Sequence, residues 1–191
     1  MKVCIFCASS AKVAPVFFEA AETVARVVAA AGHTIIYGGG AVGLMGALAD
    51  AALACHTKII GVLPRFMRQV EWQHNGLTEL ILVDTMHQRK ALMIAGVDAV
   101  VALPGGTGTL EELMEVITLK RLGKFTKPVV IVNTNGFYDA LLTLFDKMAD
   151  KYFIRPEHRD AWTVIEQAAD VLTAIERAKP WNNEAIHFAA V

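Results

Sequence analysis

Short runs rich in valine and isoleucine alternate along nearly the whole chain with longer stretches of helical periodicity, and this alternation restricts the fold more than any single motif. Residues 2–8, 34–37, 58–63, 79–83, 99–103, 128–132 and 162–165 read as strands. Residues 15–31, 44–54, 86–95, a stretch ending at Leu122, and residues 137–151 and 168–178 read as helices. Pro15 near the start of the first helix and Gly32 just past its end follow the usual helix asymmetry. A strand, a helix and a second strand form a right-handed crossover that lays the helix over the sheet. Repeated, this unit predicts an α/β fold: a Rossmann-like, doubly wound parallel sheet of about seven strands, covered on both faces. Ligands bind such sheets outside the carboxyl ends of the strands.

At 191 residues, 54% of them apolar, the chain can bury one good core, so residues 1–191 are expected to form a single domain. The tail from residue 180 onward carries no clear pattern. A formal charge of −1 excludes the broad basic field of a non-specific nucleic-acid binder, though not a local basic pocket for a small anion. No apolar stretch approaches the ~18–20 residues of a membrane span. The opening apolar run stops at Ser9-Ser10-Ala11-Lys12, before a secretory core could form. A soluble, cytoplasmic protein is expected. Three cysteines, Cys4, Cys7 and Cys55, make an odd count without a pairing framework, which suits a reducing compartment. Cys4-x-x-Cys7 has the spacing of a redox motif, but in a strand its two side chains face opposite ways, as ordinary buried thiols do.

Chemistry concentrates in the loops. Pro104-Gly105-Gly106-Thr107-Gly108-Thr109-Leu110-Glu111-Glu112 lies between a strand and a helix. Glycines let a backbone approach a phosphate, and the unpaired amides at a helix start favour an anion. A tight turn capped by Thr109 is the plain alternative. Glu111 and Glu115 suit the helix dipole. Glu112 differs: Leu110, Leu113, Met114 and Ile117 form one apolar stripe, and Glu112 falls nearly opposite, beside Val116 and Leu119. A helix apolar on both sides is expected to be covered on both sides, most simply by a second subunit.

Met86-His87-Gln88-Arg89-Lys90 sets two cations at the start of the helix after the fourth strand, a mild local penalty that an anionic ligand would offset; a solvated basic pair is the plain alternative. Strands four and five are expected to be neighbours, so their carboxyl-end loops bring Arg89 and Lys90 near the glycine loop and Glu112. Gly38-Gly39-Gly40-Ala41-Val42-Gly43-Leu44-Met45-Gly46 contains G-x-G-x-x-G after a strand, but the acidic residue a dinucleotide fold needs ~20 positions on is replaced by Ile60-Gly61-Val62-Leu63. No metal-ligand spacing, P-loop or nucleophile elbow occurs, so neither a metal nor a bound cofactor is expected.

Taken together, Tyr37-Gly38-Gly39-Gly40 with Gly43-Leu44-Met45-Gly46, Met86-His87-Gln88-Arg89-Lys90, and Pro104-Gly105-Gly106-x-Gly108-Thr109-x-x-Glu112 resemble the Lonely guy (LOG) family of cytokinin riboside 5′-monophosphate phosphoribohydrolases. Its members often carry the label possible lysine decarboxylase. The resemblance implies hydrolysis of a nucleoside 5′-monophosphate to base and ribose 5-phosphate. Arg89 and Glu112 would be the catalytic pair, with Lys90, Gly105, Gly106, Gly108 and Thr109 on the phosphoribosyl group. Glu71 and Thr118 match further substrate-contact positions, and Ser9, Gly40, Met86, Thr107 and Glu111 complete the expected contact set. The family also implies at least a homodimer. Thr107, where many members place tyrosine, and Ala8, where glycine is common, bear on substrate preference. A pyridoxal-phosphate decarboxylase would need a Schiff-base lysine and a partner for the pyridinium nitrogen, and no lysine here has that setting. A non-catalytic nucleotide or cofactor carrier and an NAD-dependent redox protein remain the rival readings.

Overall fold

The computed structural model describes residues 1–69 and 73–189. Among these, the strands β1 (Lys2–Phe6), β2 (Thr34–Tyr37), β3 (Ile59–Pro64), β4 (Glu79–Val83), β5 (Ala99–Ala102), β6 (Val129–Val132) and β7 (Thr163–Ile165) form one parallel sheet. Six α-helices cover it: α1 (Pro15–Ala30), α2 (Gly43–Ala54), α3 (Met86–Ile94), α4 (Thr107–Arg121), α5 (Asp139–Asp150) and α6 (Val171–Arg177). No described helix is long and apolar enough to cross a membrane.

Period-two alternation divides the core between the two faces. Val3, Ile5 and Cys7 pack with α1, α2 and α6, whereas Cys4 and Phe6 pack with α3, α4 and α5. Cys4 and Cys7 therefore face opposite ways, both buried, and Cys55 is exposed.

The strand order is β4-β3-β2-β1-β5-β6-β7. β4 and β5 are thus not neighbours, contrary to the sequence expectation: β3, β2 and β1 lie between them. The first three crossovers all step away from β1 in one direction, which leaves β4 at the edge. The chain must return across the sheet to open the other half at β5. α3, packed on β3, begins that return. The direction of winding reverses between β1 and β5, and the crevice at such a switch point is where ligands bind.

The buried face of α4 also differs from expectation. It consists of Thr109, Glu112, Leu113, Val116, Ile117 and Lys120, with Leu110 and Met114 only flanking it. Glu112 thus shares the face that docks on the sheet, and Val116 is covered within one chain. Cover on the Glu112 side was expected from a second subunit; here the sheet and the Arg89 guanidinium supply it within one chain. Nor does Thr109 cap the helix. Gly106 holds that position, with no side-chain cap.

The tail, patternless in sequence, folds as a 3-10 segment, Asn183–Phe188, against the far end of α4. Trp181 Nε1 donates to the Lys120 carbonyl (2.7 Å), and Arg121 Nη2 donates to the Ala189 carbonyl (3.3 Å).

Candidate active site

Three strand ends converge on a cavity of about 250 Å³. The loop after β1 contributes Ala8 and Ser9, the end of β2 contributes Gly38, and the turn after β5 contributes Gly106 to Thr109. Met86 and Arg89 come from α3, Glu111 and Glu112 from α4, and Phe6, Met45 and Met93 are among the apolar lining.

Local contacts fix these loops. Tyr138 Oη donates to the Leu103 carbonyl (2.7 Å), tying down the residue before the glycine turn. Tyr37 Oη donates to the Gly40 carbonyl (3.1 Å), pinning the triple-glycine turn. Gly43 has φ +66°, and a β-carbon there would lie 2.4 Å from the Ser9 carbonyl carbon. Its bareness lets the Ser9 loop seat against the start of α2.

A capping box starts α3. Thr85 Oγ1 accepts from the Gln88 amide (3.1 Å), while Gln88 Oε1 accepts from the Thr85 amide (3.3 Å). The spacing Thr85-x-x-Gln88 made this readable in sequence, and it was missed. The cap places Arg89 one turn into the helix, pointing into the sheet crevice, only 6% exposed. Its Nε donates to the Val62 carbonyl (3.1 Å), and its Nη2 donates to the Gly38 carbonyl (3.1 Å). Nη1 stands 3.7 Å from Glu112 Oε1, and Glu112 is itself 8% exposed. The long side chain of Arg89 thus spans from α3 across the ends of β3 and β2, which brings the pair together although β4 and β5 are far apart. Burial pushes the Cys4 thiol well up, and the Glu112 charge is the second cause of that rise.

Beside this pair, the backbone of Gly106, Thr107 and Gly108 is exposed at the start of α4. Nothing lies within 4 Å of a β-carbon built on Gly106 or Gly108, so an anion can approach the amides closely. A carboxylate, a guanidinium and an anion-ready helix start therefore share one small crevice.

Of the residues singled out in sequence, Ser9, Met86, Arg89, Gly106, Thr107, Gly108, Thr109, Glu111 and Glu112 line the cavity. Lys90 does not; it bridges to Glu111 and Glu115, the latter at 2.8 Å. Those two hydrogen bonds, Glu111 first, raise its pKa and hold it as an ammonium whose charge is already matched. Gly105 packs over the Thr109 side chain and lines a neighbouring apolar cavity with Phe17, Leu44 and Phe137. Gly40 turns its carbonyl to Tyr37, and Thr118 is exposed about 13 Å further along α4 than Thr109. Glu71 lies outside the described residues. Met93 is a lining residue that no motif marked; Gly38 and Met45 lie in the glycine motif singled out in sequence but were not assigned to the site, because their partners are distant in the chain. Among the described residues, no group of three potential ligands could hold a metal ion.

Residues 45–175 match the family model described as possible lysine decarboxylase. A cytokinin riboside 5′-monophosphate phosphoribohydrolase of Arabidopsis thaliana is 39% identical over 183 residues, 96% of this chain and 86% of the relative. The chain belongs to the LOG family. A LOG relative of the same name from Rhodococcoides fascians is 41% identical over 174 residues, covering 91% of this chain and 88% of its own. Among solved structures, a molybdenum cofactor carrier protein from Chlamydomonas reinhardtii superposes with a TM-score of 0.69 at 19% identity, over 93% of this chain and 96% of that one. At that identity the likeness shows the fold alone.

Proposed function

We propose that this LOG-family chain hydrolyses the N-glycosidic bond of a nucleoside 5′-monophosphate, AMP or an N6-modified AMP, to the free base and ribose 5-phosphate. The observation that carries this reading is the buried Arg89–Glu112 pair, set beside the bare amides at the start of α4. Cleavage builds positive charge on the ribose, and a carboxylate held near C1′ stabilises that oxocarbenium-like state. Glu112 is that carboxylate. The helix start takes the 5′-phosphate, which fixes where C1′ must lie. Arg89 orients Glu112 and matches its charge from 3.7 Å, and both line the same cavity. A cofactor carrier has no use for a buried carboxylate aimed at an anion site, which favours the enzyme over the carrier.

One phosphate suits the short glycine turn, so AMP should be cleaved in preference to adenosine or ATP. Chromatographic detection of free base from the three substrates tests this. Equal turnover of AMP and adenosine would show that the phosphate site is misplaced, and no base from any nucleoside monophosphate would overturn the reading.

The protein acts as a homodimer in this proposal. The support is no longer Val116 but the exposed side chains Met86 and Leu92 on α3 and Leu122 after α4, two helices that Lys90 ties together. A monomer mass by light scattering at micromolar concentration would contradict it.

A further inference from the structure

We propose that Gly38 is a positioning residue for the reaction, its carbonyl and its missing side chain together forming the seat that holds the Arg89 guanidinium toward Glu112. Backbone conformation does not demand glycine here, because Gly38 is not among the glycines with positive φ. Space does. A β-carbon on Gly38 would fall 2.1 Å from Arg89 Nη2 and 3.3 Å from Arg89 Cζ, with Met45 Sδ at 3.1 Å. The Gly38 carbonyl is also the acceptor for that same Nη2. One residue therefore supplies both the hydrogen bond that draws the guanidinium in and the gap it occupies, while the Val62 carbonyl holds Nε from the neighbouring strand.

The neighbouring glycines show why this is separable from folding. At Gly46 a β-carbon would lie 2.3 Å from the Ala41 carbonyl oxygen, and at Gly43 it would strike the Ser9 backbone. Backbone cannot yield cheaply, so those glycines are demanded by packing. At Gly38 the nearest atoms are the ends of two flexible side chains. The chain can fold with alanine there, and the displacement falls on Arg89. Because Arg89 Nη1 already stands 3.7 Å from Glu112, moving the guanidinium by an ångström or so alters the environment of the catalytic carboxylate directly.

The kinetic half of this inference rests on the phosphoribohydrolase reading; the structural half does not. The test is Gly38→Ala in the wild-type chain and in an Arg89→Ala background, with Gly46→Ala as the packing control. Nitrogen-15 NMR of the arginine Nε–Hε groups, with the Arg89 signal assigned from its loss in Arg89→Ala, reports the seat without substrate. Gly38→Ala is expected to move that signal, to leave the melting temperature nearly unchanged, and to lower kcat for base release from AMP by about 10²-fold. In Arg89→Ala, Gly38→Ala should change kcat by no more than about twofold, because its effect passes through Arg89. Gly46→Ala should instead lower the melting temperature. An unmoved Arg89 signal, an unchanged kcat in the single variant, or the same loss in both backgrounds would each overturn the proposal. If the wild type releases no base from AMP, the functional reading fails by itself, and the NMR signal still decides the seat.

Discussion

Replacing Lys120 with methionine probes the far end of the helix that builds the site. Lys120 is 1% exposed; its Nζ donates to the Lys127 carbonyl (2.9 Å) and stands 5.6 Å from the centre of the Trp181 ring. Desolvation lowers its pKa from 10.5 to about 8. Between those values the unfolded chain holds a proton that the folded chain has released, so stability rises with pH across that window. The gap corresponds to about 3 kcal/mol, a cost present in full below pH 8 and relieved as the pH climbs toward 10.5. At pH 7 methionine removes this cost but also the hydrogen bond and the cation–π contact, worth about 1–3 kcal/mol together. The net change there falls between about 0 and 2 kcal/mol in favour of methionine, a range that decides nothing by itself. The informative quantity is the difference between wild type and variant as a function of pH, measured by urea unfolding at pH 7, 8, 9 and 10. Wild type should gain on Lys120→Met by about 2 kcal/mol over that range, most of the full gap. Parallel stability curves would show that Lys120 releases its proton at the same pH in the folded and unfolded chain.

The acid side has its own group. His158 is fully buried, takes the Arg155 amide on Nδ1 (3.1 Å) and stacks on Phe188; burial first, then the Arg121 charge, lowers its pKa below 6.5. Proton uptake there favours the unfolded chain, so stability should fall as the pH drops below about 6.5, and His158→Gln should flatten that slope in acid-side unfolding curves. Glu115→Gln leaves Lys90 paired with Glu111 on the half-exposed side of α4, so kcat/KM for AMP should change by less than about fivefold; a loss of 10²-fold or more would reassign the catalytic carboxylate.

Much of the fold could be read from the chain, because strand and helix periods are local properties. The β1 alternation correctly separated Cys4 from Cys7, and the strand runs were found with ends shifted by a residue or two. What could not be read depends on distant partners. The separation of β4 from β5 follows from the direction of successive crossovers, which no local pattern records. The buried face of α4 could not be identified while Glu112 counted as polar, since its acceptance inside requires Arg89, a residue on another helix. In the same way, the motif marks Lys90 as a phosphate ligand, and only the packing of α3 on α4 sets Glu111 and Glu115 against its charge. Arg89 and Glu112 themselves were legible through their motifs. The seat at Gly38, 51 residues from Arg89, was not.

In the proposed reaction Glu112 performs the cleavage, and Glu112→Gln removes only what that role needs. Glutamine keeps the size and hydrogen-bonding capacity of the side chain and removes the charge that meets the developing cation. The carboxylate is 8% exposed, so solvent cannot replace it. Losing one such preorganised group costs about 3–4 kcal/mol in the barrier, or about 10²–10³ in kcat. AMP binding should survive, because a carboxylate near a phosphate repels it in the ground state. The measurement is kcat for base release from AMP, alongside the AMP dissociation constant by calorimetry, for wild type and Glu112→Gln. A fall in kcat of at least about 10²-fold with AMP binding retained is expected; near-normal base release by Glu112→Gln would mean that another group performs the cleavage.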